Sequence, residues 1–406
     1  MTNRLPDSGL NGGVLMNGID AATRCAGMLS CLTLAFLTSI VVYEVLMRSA
    51  FNMPTTWVAE ISIYAFVALV FLGLAVGQRA GAHIQVEMLI DNVAPLTRQR
   101  LELIGVWLGL IFAGVTGWEM YCFAVAEYVN GTRDWGLLAT PQWIPETPVV
   151  IGYLLFCAAL LREICVKTAP DARWRRAALP LLLVGILAAL GAIGRNDMGV
   201  AGTRLDWATL TIVGGLIVGC FLWSGVRAGL ALLAIIGAMS GLFHLTQDLS
   251  LLATGLILVG ALLFLLIIGV PVGITMGVVG LIGLIYMIRQ PQLPILADRS
   301  WTSINSFTLT AVPTFVLMGS LLVQSGLTVK LFDMLVVWFG RTRGGLGHAT
   351  VGASAVFAAV SGSSLATAAT LGRVAAPEMT ARGYSNRLTY GLVAAGATLG
   401  ILIPPS

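Results

Sequence analysis

Apolar runs long enough to cross a lipid bilayer recur along most of this chain, and no other feature constrains its fold as strongly. A helix needs ~20 residues to span the hydrocarbon core, where every backbone N–H and C=O must be satisfied within the protein. Such runs fall at about 26–47, 58–77, 101–126, 147–165, 178–194, 207–223, 227–244 and 307–324. With 57% hydrophobic and only 10% charged residues, the chain reads as an all-α, polytopic α-helical membrane protein. The net charge of +4 does not point to nucleic acid, because the basic residues sit in short connections between runs, where they orient the chain.

One set of alternate connections holds Arg4, Arg24, Arg79, Arg98, Arg100, Arg162, Lys167, Arg173, Arg175 and Arg176, and the other holds Arg48 and Arg133. The excess places the N-terminus in the cytoplasm. The first run lacks a small-residue cleavage motif and reads as a retained anchor. Trp57, Trp135, Trp143, Trp174, Trp207 and Trp301 fall at run boundaries, as an interfacial belt requires. Cys25, Cys31, Cys122, Cys157, Cys165 and Cys220 are scattered in apolar sequence with no C-x-x-C pair, so they read as small packing residues.

Two places break the pattern. Residues 251–288 are too long for one span, and Gly269-Val270-Pro271-Val272-Gly273 sits where a break falls. Residues 348–380 read as a re-entrant hairpin with its tip at Ser361-Gly362-Ser363-Ser364. Entry and return keep Lys330, Arg341, Arg343, Arg373, Arg382 and Arg387 on one side, and arms of about a dozen to sixteen residues suit half a bilayer. A Ser/Gly cluster at membrane depth is tolerated where protein or a water-filled cavity surrounds it.

The helix from about 388 is expected to break near Thr398, Gly400 and Pro404-Pro405-Ser406 and to face that tip. Hydroxyls and freed carbonyls at helix ends offer oxygens to a sodium ion without a fixed charge. Ser361, Gly362, Ser363, Ser364, Thr367, Thr398, Gly400, Pro404, Pro405 and Ser406 therefore form the candidate ion and substrate site. The competing reading is close helix packing through small residues.

Glu44 and Glu60 lie near span ends and read as interface anchors, with a proton relay as the alternative. Glu119 lies deeper and its role is open. His83, between Arg79 and Glu87, reads as ordering its loop by a hydrogen bond rather than binding metal. Arg373 is a candidate partner for a carboxylate, with cytoplasmic anchoring the favoured reading. Gly344-Gly345 lacks the strand and the Gly-Lys-Ser/Thr of a phosphate loop. No nucleophile, base and orienter stand together, so neither an enzyme nor nucleotide-driven transport is expected.

The segment Arg48–Asp91, with Phe51-Asn52-x-Pro54, Trp57-x-x-Glu60 and Arg79-x-Gly81-Ala82-His83-Ile84-x-Val86, resembles the small membrane subunit of tripartite ATP-independent periplasmic (TRAP) transporters. That subunit usually carries an acidic pair near Glu60 and an Asp where Glu87 stands. Gly269–Gly273, Ala311-Val312-Pro313-Thr314-Phe315, Arg343-Gly344-Gly345, Ser361–Gly372 and Gly400–Ser406 resemble, in order, the first portion of the large subunit. The resemblance covers about 26–168 and 250–406. With the run pattern it divides the chain into a polar tail (1–22), a four-helix small-subunit-like domain (23–172), extra linking helices (173–247) longer than the single connecting helix usual in fused members, and the start of a large-subunit-like, elevator-type transport domain (248–406). Many large subunits have Asp where this chain has Thr367, so its ion sites would rest on hydroxyl and carbonyl oxygens.

The family further implies a bacterial inner-membrane permease that imports a small organic anion, of the carboxylate class, on a sodium gradient. A soluble periplasmic binding protein would deliver the solute, sodium ions would be the only cofactors, and Trp57, Glu60 and His83 would belong to a structural motif. The family continues beyond the Pro404-Pro405-Ser406 motif with a second, inverted half. The sequence is accordingly expected to be a fragment of a longer protein. Alternatives are a non-transporting membrane scaffold or inactive fragment, or another ion-coupled carrier with hairpin architecture.

Overall fold

A computed structural model describes residues 14–86, 90–168, 185–186, 188–190, 207–245, 250–287, 293–361 and 364–402. Glu87, the Arg173–Arg176 cluster, most of the expected span at 178–194, Gly362, Ser363, Pro404, Pro405 and Ser406 lie outside the described residues. Among the described residues the elements are helical, with one isolated bridge between Arg133 and Pro141. In chain order the α-helices are α1 (Val14–Ala50), α2 (Val58–Arg79), α3 (Pro95–Asn130), α4 (Trp143–Thr168), α5 (Trp207–Ser224), α6 (Val226–Leu245) and α7 (Leu251–Ile268). Then follow α8 (Val272–Met287), α9 (Pro294–Thr302), α10 (Ala311–Gln324), α11 (Leu327–Phe339), α12 (Gly345–Ser361), α13 (Ser364–Ala381) and α14 (Asn386–Leu402).

Helices α1 to α6 are long and apolar enough to cross a membrane, as their sequence runs require. α1 begins at Val14, inside the stretch expected as a polar tail. At 1.5 Å per residue it is ~55 Å long, well beyond a hydrocarbon core of ~30 Å. Pro95 starts α3 at a position where a missing N–H costs nothing, and Gly131 ends it at φ 65° with its N–H on the Glu127 and Tyr128 carbonyls. The expected break in 251–288 is present: Ser250 caps α7, Gly269 ends it at φ 91°, and α8 starts after Pro271.

Three features depart from expectation. The run at 307–324 begins as a 3₁₀ turn (Phe307–Thr310) before becoming α10. α9 was not foreseen, because Asp298, Arg299 and Ser300 interrupt its apolar pattern. α11 was not foreseen either. It has 13 residues and buries Phe332 and Leu335 while Val337 and Trp338 stand exposed, which is a surface-helix pattern too short to announce a span.

The chain divides into two compact units, one of Met1–Thr33 with Val67–Asn305 and one of Leu34–Phe66 with Ser306–Ser406. In the first, α3 is the central helix and packs against α4, α5, α6, α8 and α9. Its Trp107 is fully buried and donates its indole N–H to the Ser224 hydroxyl at 2.8 Å. Glycine permits the closest approaches: a Cβ on Gly109 would lie 2.6 Å from Ile274, and one on Gly152 2.6 Å from both the Cβ and the carbonyl oxygen of Phe71.

A charged layer closes one end of this unit. Asp20 pairs with Arg162 at 2.6 Å and Arg79 at 3.4 Å, Lys167 meets Glu163 at 2.8 Å and Glu102 at 3.1 Å, and Gln78 donates to Glu163 at 2.7 Å. In the second unit α12 packs against α10, α11, α13 and α14. Its core joins Phe332 and Leu335 to Leu346, Ala349, Ala353 and Phe357 of α12 and to Leu371, Ala375 and Met379 of α13.

The Gly152 approach is against backbone, which has little room to yield. Gly152→Ala should lower stability by about 1–3 kcal/mol in thermal unfolding in detergent. Gly214→Ala in α5, where nothing lies within 4 Å of an added Cβ, should be neutral or stabilising by up to about 1 kcal/mol.

Candidate functional site

The two expected arms of the hairpin are α12 and α13, of 17 and 18 residues, which pack against each other. Its arms are longer than the half-bilayer estimate, ~25 Å or more at 1.5 Å per residue. The helix extends back from His348 through Gly345-Leu346-Gly347, and Pro377 is accommodated within α13. An upright arm of this length covers most of a ~30 Å core.

α14 lies along both arms. A Cβ on Gly347 would be 3.2 Å from Leu392, and one on Gly396 2.7 Å from Ser354, so α12 and α14 run parallel. Continuing that register brings the last described turn of α14, ending at Leu402, to the level of Ser361. α13 and α14 run antiparallel through Gly372 and Val393. Five residues back along α13 and five on along α14 put Thr367 level with Thr398, about 7 Å nearer the tip.

Level is not contact. Thr367 is fully buried, whereas Thr398 is exposed and its hydroxyl donates to the Ala395 carbonyl at 2.7 Å. α14 is helical through Thr398 and Gly400 to Leu402, and the rest of the expected break, Pro404-Pro405-Ser406, lies outside the described residues. An interior glycine costs about 1 kcal/mol in a helix and a threonine bonds back to the preceding turn, so neither residue alone ends one. Ser361 closes α12 and the half-buried Ser364 opens α13, while the other predicted tip and facing residues lie outside the described set.

The sequence reading passed over polar groups in this seam. Thr350 is buried, donating to the Leu346 carbonyl at 2.8 Å beside the Met379 sulfur at 3.3 Å. Ser354 and Thr389 are fully buried, and their hydroxyls have no hydrogen-bond partner among the described residues. Only their small size and mixed apolar surroundings marked them in sequence, which is also the signature of ordinary helix packing.

At the other break two separately recognised motifs meet. The Val272 N–H, first of α8, donates to the Ile84 carbonyl at 2.9 Å, and a Cβ on Gly269 would overlap Ile90. His83 stands beside Gly77 and meets Phe156 edge-on at 5.8 Å. Nε2 of His83 is buried with no hydrogen-bond partner among the described residues, so the expected ordering hydrogen bond is not made at that nitrogen. Burial pushes the His83 pKa below its ordinary value, against an opposing pull from the Glu163 carboxylate.

In the α1–α2 connection, Glu44 accepts from the Thr55 N–H at 3.0 Å and from the Thr55 hydroxyl, and Tyr43 packs on Trp57 at 6.2 Å. Asn52 adopts φ 52° there. Glu60 lies in the first turn of α2, where a carboxylate suits the helix dipole. Glu146, which no pattern singled out, is fully buried in the first turn of α4 with neither oxygen hydrogen-bonded among the described residues. Among the described residues no three His, Cys, Asp or Glu groups stand together as metal ligands.

The chain is similar to two family models. Residues 37–169 match "Tripartite ATP-independent periplasmic transporters, DctQ component", and residues 259–406 match "Tripartite ATP-independent periplasmic transporter, DctM component". It is 25% identical over 379 residues to the sialic acid TRAP transporter permease protein SiaT of Haemophilus influenzae, covering 90% of this chain and 52% of that protein. It is 37% identical over 155 residues to the C4-dicarboxylate TRAP transporter large permease protein DctM of Rhodobacter capsulatus (38% of this chain, 34% of that one). It is 36% identical over 152 residues to the isethionate TRAP transporter permease protein DctMQ of Oleidesulfovibrio alaskensis (37% and 24%). The chain thus spans about half or less of the length of these curated relatives.

Gly396→Ala should destabilise by about 1–3 kcal/mol, and Ser354→Gly in the same chain should restore most of the loss if the two residues are in contact as described. Thermal unfolding of both variants checks this. For His83 a depressed native pKa means that the unfolded chain takes up its proton first. Its stabilisation is therefore full above the ordinary value of 6.5 and is lost as pH falls below it. Across that window the melting temperature should fall more steeply for wild type than for His83→Gln.

Proposed function

Because the chain belongs to the tripartite ATP-independent periplasmic transporter family, joining a DctQ-type part to a DctM-type part, we propose that it is the permease of a sodium-driven importer of organic anions. It is a multi-pass membrane protein of a transporter family rather than an enzyme. A periplasmic binding protein delivers the solute to the outer face, and the N-terminus is cytoplasmic. The relatives named for C4-dicarboxylate, isethionate and sialic acid support an acidic solute.

The observation that supports the site most directly is the common level of the close of α12 at Ser361, the start of α13 at Ser364 and the last described turn of α14. Sodium takes oxygen ligands, and the hydroxyls of Ser361, Ser363, Ser364 and Thr367 with neighbouring carbonyls supply them. The half-helix termini add partial charge of the right sign at each end.

Energetics set a lower bound on coupling. A sodium ion entering down 100 mV gains about 2.3 kcal/mol and a dianion entering against it loses about twice that, so two sodium ions only balance a dicarboxylate. A third makes its uptake electrogenic.

The test uses the full-length protein in proteoliposomes with its binding protein and a labelled organic acid. Uptake should require an inward sodium gradient and vanish without the binding protein; equal uptake in sodium-free buffer overturns the proposal. Thr367→Val, which removes one hydroxyl at constant volume, should raise the half-saturating sodium concentration about ten-fold.

A further inference from the structure

The charged layer of the first unit opens beside a groove that the transport reading does not use. The groove has a volume of about 1030 Å³ and lies between the Ala21–Leu32 stretch of α1 and the Val76–Ala80 end of α2. Its walls below the rim are apolar, formed by Met28, Leu32 and Val76, and Arg24 and Arg79 line its charged end. Asp20 is divided between Arg79 and Arg162, so two guanidinium groups share one carboxylate there. Arg24 itself is exposed, with no partner among the described residues.

The depth of this rim follows from α1. Cys25 to Tyr43 is an uncharged helical stretch ~28 Å long, which matches the hydrocarbon core and sets Arg24 at its boundary. Gly27 brings the two helices together: a Cβ there would lie 2.9 Å from Val76. A doubly positive rim at the interface above an apolar trough along the helix axis fits an amphiphile with one anionic head and a chain. A soluble anion would leave the trough unfilled, and a protein segment would need a matching acidic tip.

We propose that this groove binds an anionic phospholipid, its phosphate between Arg24 and Arg79 and an acyl chain along Met28, Leu32 and Val76. Basic pockets between membrane helices recognise acidic head groups in this way. The bound lipid would fill the seam between α1 and α2 beside the Asp20 ion pairs.

Purified protein in nanodiscs of phosphatidylcholine, with or without phosphatidylglycerol, provides the test. Native mass spectrometry should show phosphatidylglycerol retained in preference to phosphatidylcholine, and a photoactivatable phosphatidylglycerol should crosslink within residues 21–32 and 76–80. Arg24→Gln should lower that retention about five-fold, and Arg24→Lys should keep it. Equal retention of the two lipids, unchanged retention in Arg24→Gln, or crosslinks confined to other helices would overturn the proposal. Inorganic phosphate added to phosphatidylcholine nanodiscs is the second arm: thermal stabilisation by phosphate equal to that by the lipid would assign the arginines to a free anion and overturn it too. Should Arg24→Gln fail to fold, the crosslink map and the lipid preference of Arg24→Lys still decide the matter.

Discussion

Inside a bilayer the backbone has no water to fall back on, and the way this chain meets that demand at Gly269–Val272 organises the first unit. The Gly269 and Val270 N–H groups bond back to the carbonyls of Leu266 and Leu265, Pro271 has no N–H, and the Thr275 N–H takes the Pro271 carbonyl. Local structure leaves the Val272 N–H, which the Ile84 carbonyl accepts from a loop far away in sequence. The kink and the loop after α2 therefore depend on each other. A leftover N–H shielded from water without such a partner would cost about 1–3 kcal/mol.

Packing supplies what the hydrophobic effect cannot, since lipid tails are as apolar as leucine. The close approaches place glycine against a larger group: Gly109 against Ile274, Gly277 against Phe112, Gly152 against Phe71 and, in the second unit, Gly396 against Ser354. The charged layer is the counterpart at the membrane edge. Its pairs are only partly exposed and interlinked, with Asp20, Glu102 and Lys167 each serving two partners, and a network of that kind resists loss of any single pair better than isolated surface pairs do.

The helical spans, the break at Gly269–Gly273 and the hairpin were legible because length, apolar continuity and the Gly/Pro or Ser/Gly interruptions are local signals. The short helices α9 and α11 were not, because surface helices of this size carry mixed patterns. The break expected from Thr398 to Ser406 does not begin at its first residues, because Thr398 and Gly400 lower helix propensity without forbidding a helix, and of the motif Gly400–Ser406 only the prolines cannot continue one. The bond from Val272 to Ile84 and the buried Ser354, Thr389 and Glu146 were invisible because they depend on which distant segments meet. Sequence spacing does not encode that.

The meeting of helix ends at the hairpin tip sets an order for the proposed chemistry. α12 and α14 run parallel, so the C-terminus of α12, with about half a negative unit charge, lies level with the last described turn of α14 and with the N-terminus of α13. Thr367, buried in the first turn of α13, brings no carboxylate to that level, so the dipoles carry the local electrostatics. In the proposed site the α12 carbonyl end would favour a cation and the α13 N-terminus an anion. With a sodium ion neutralising that carbonyl end, the α13 N-terminus would face an arriving acid without opposition. An aspartate at position 367 would place a fixed negative charge beside that N-terminus, strengthening the cation site at the expense of the anion site. A threonine keeps the two requirements in balance, and under the proposed mechanism sodium occupancy would be a condition for solute binding.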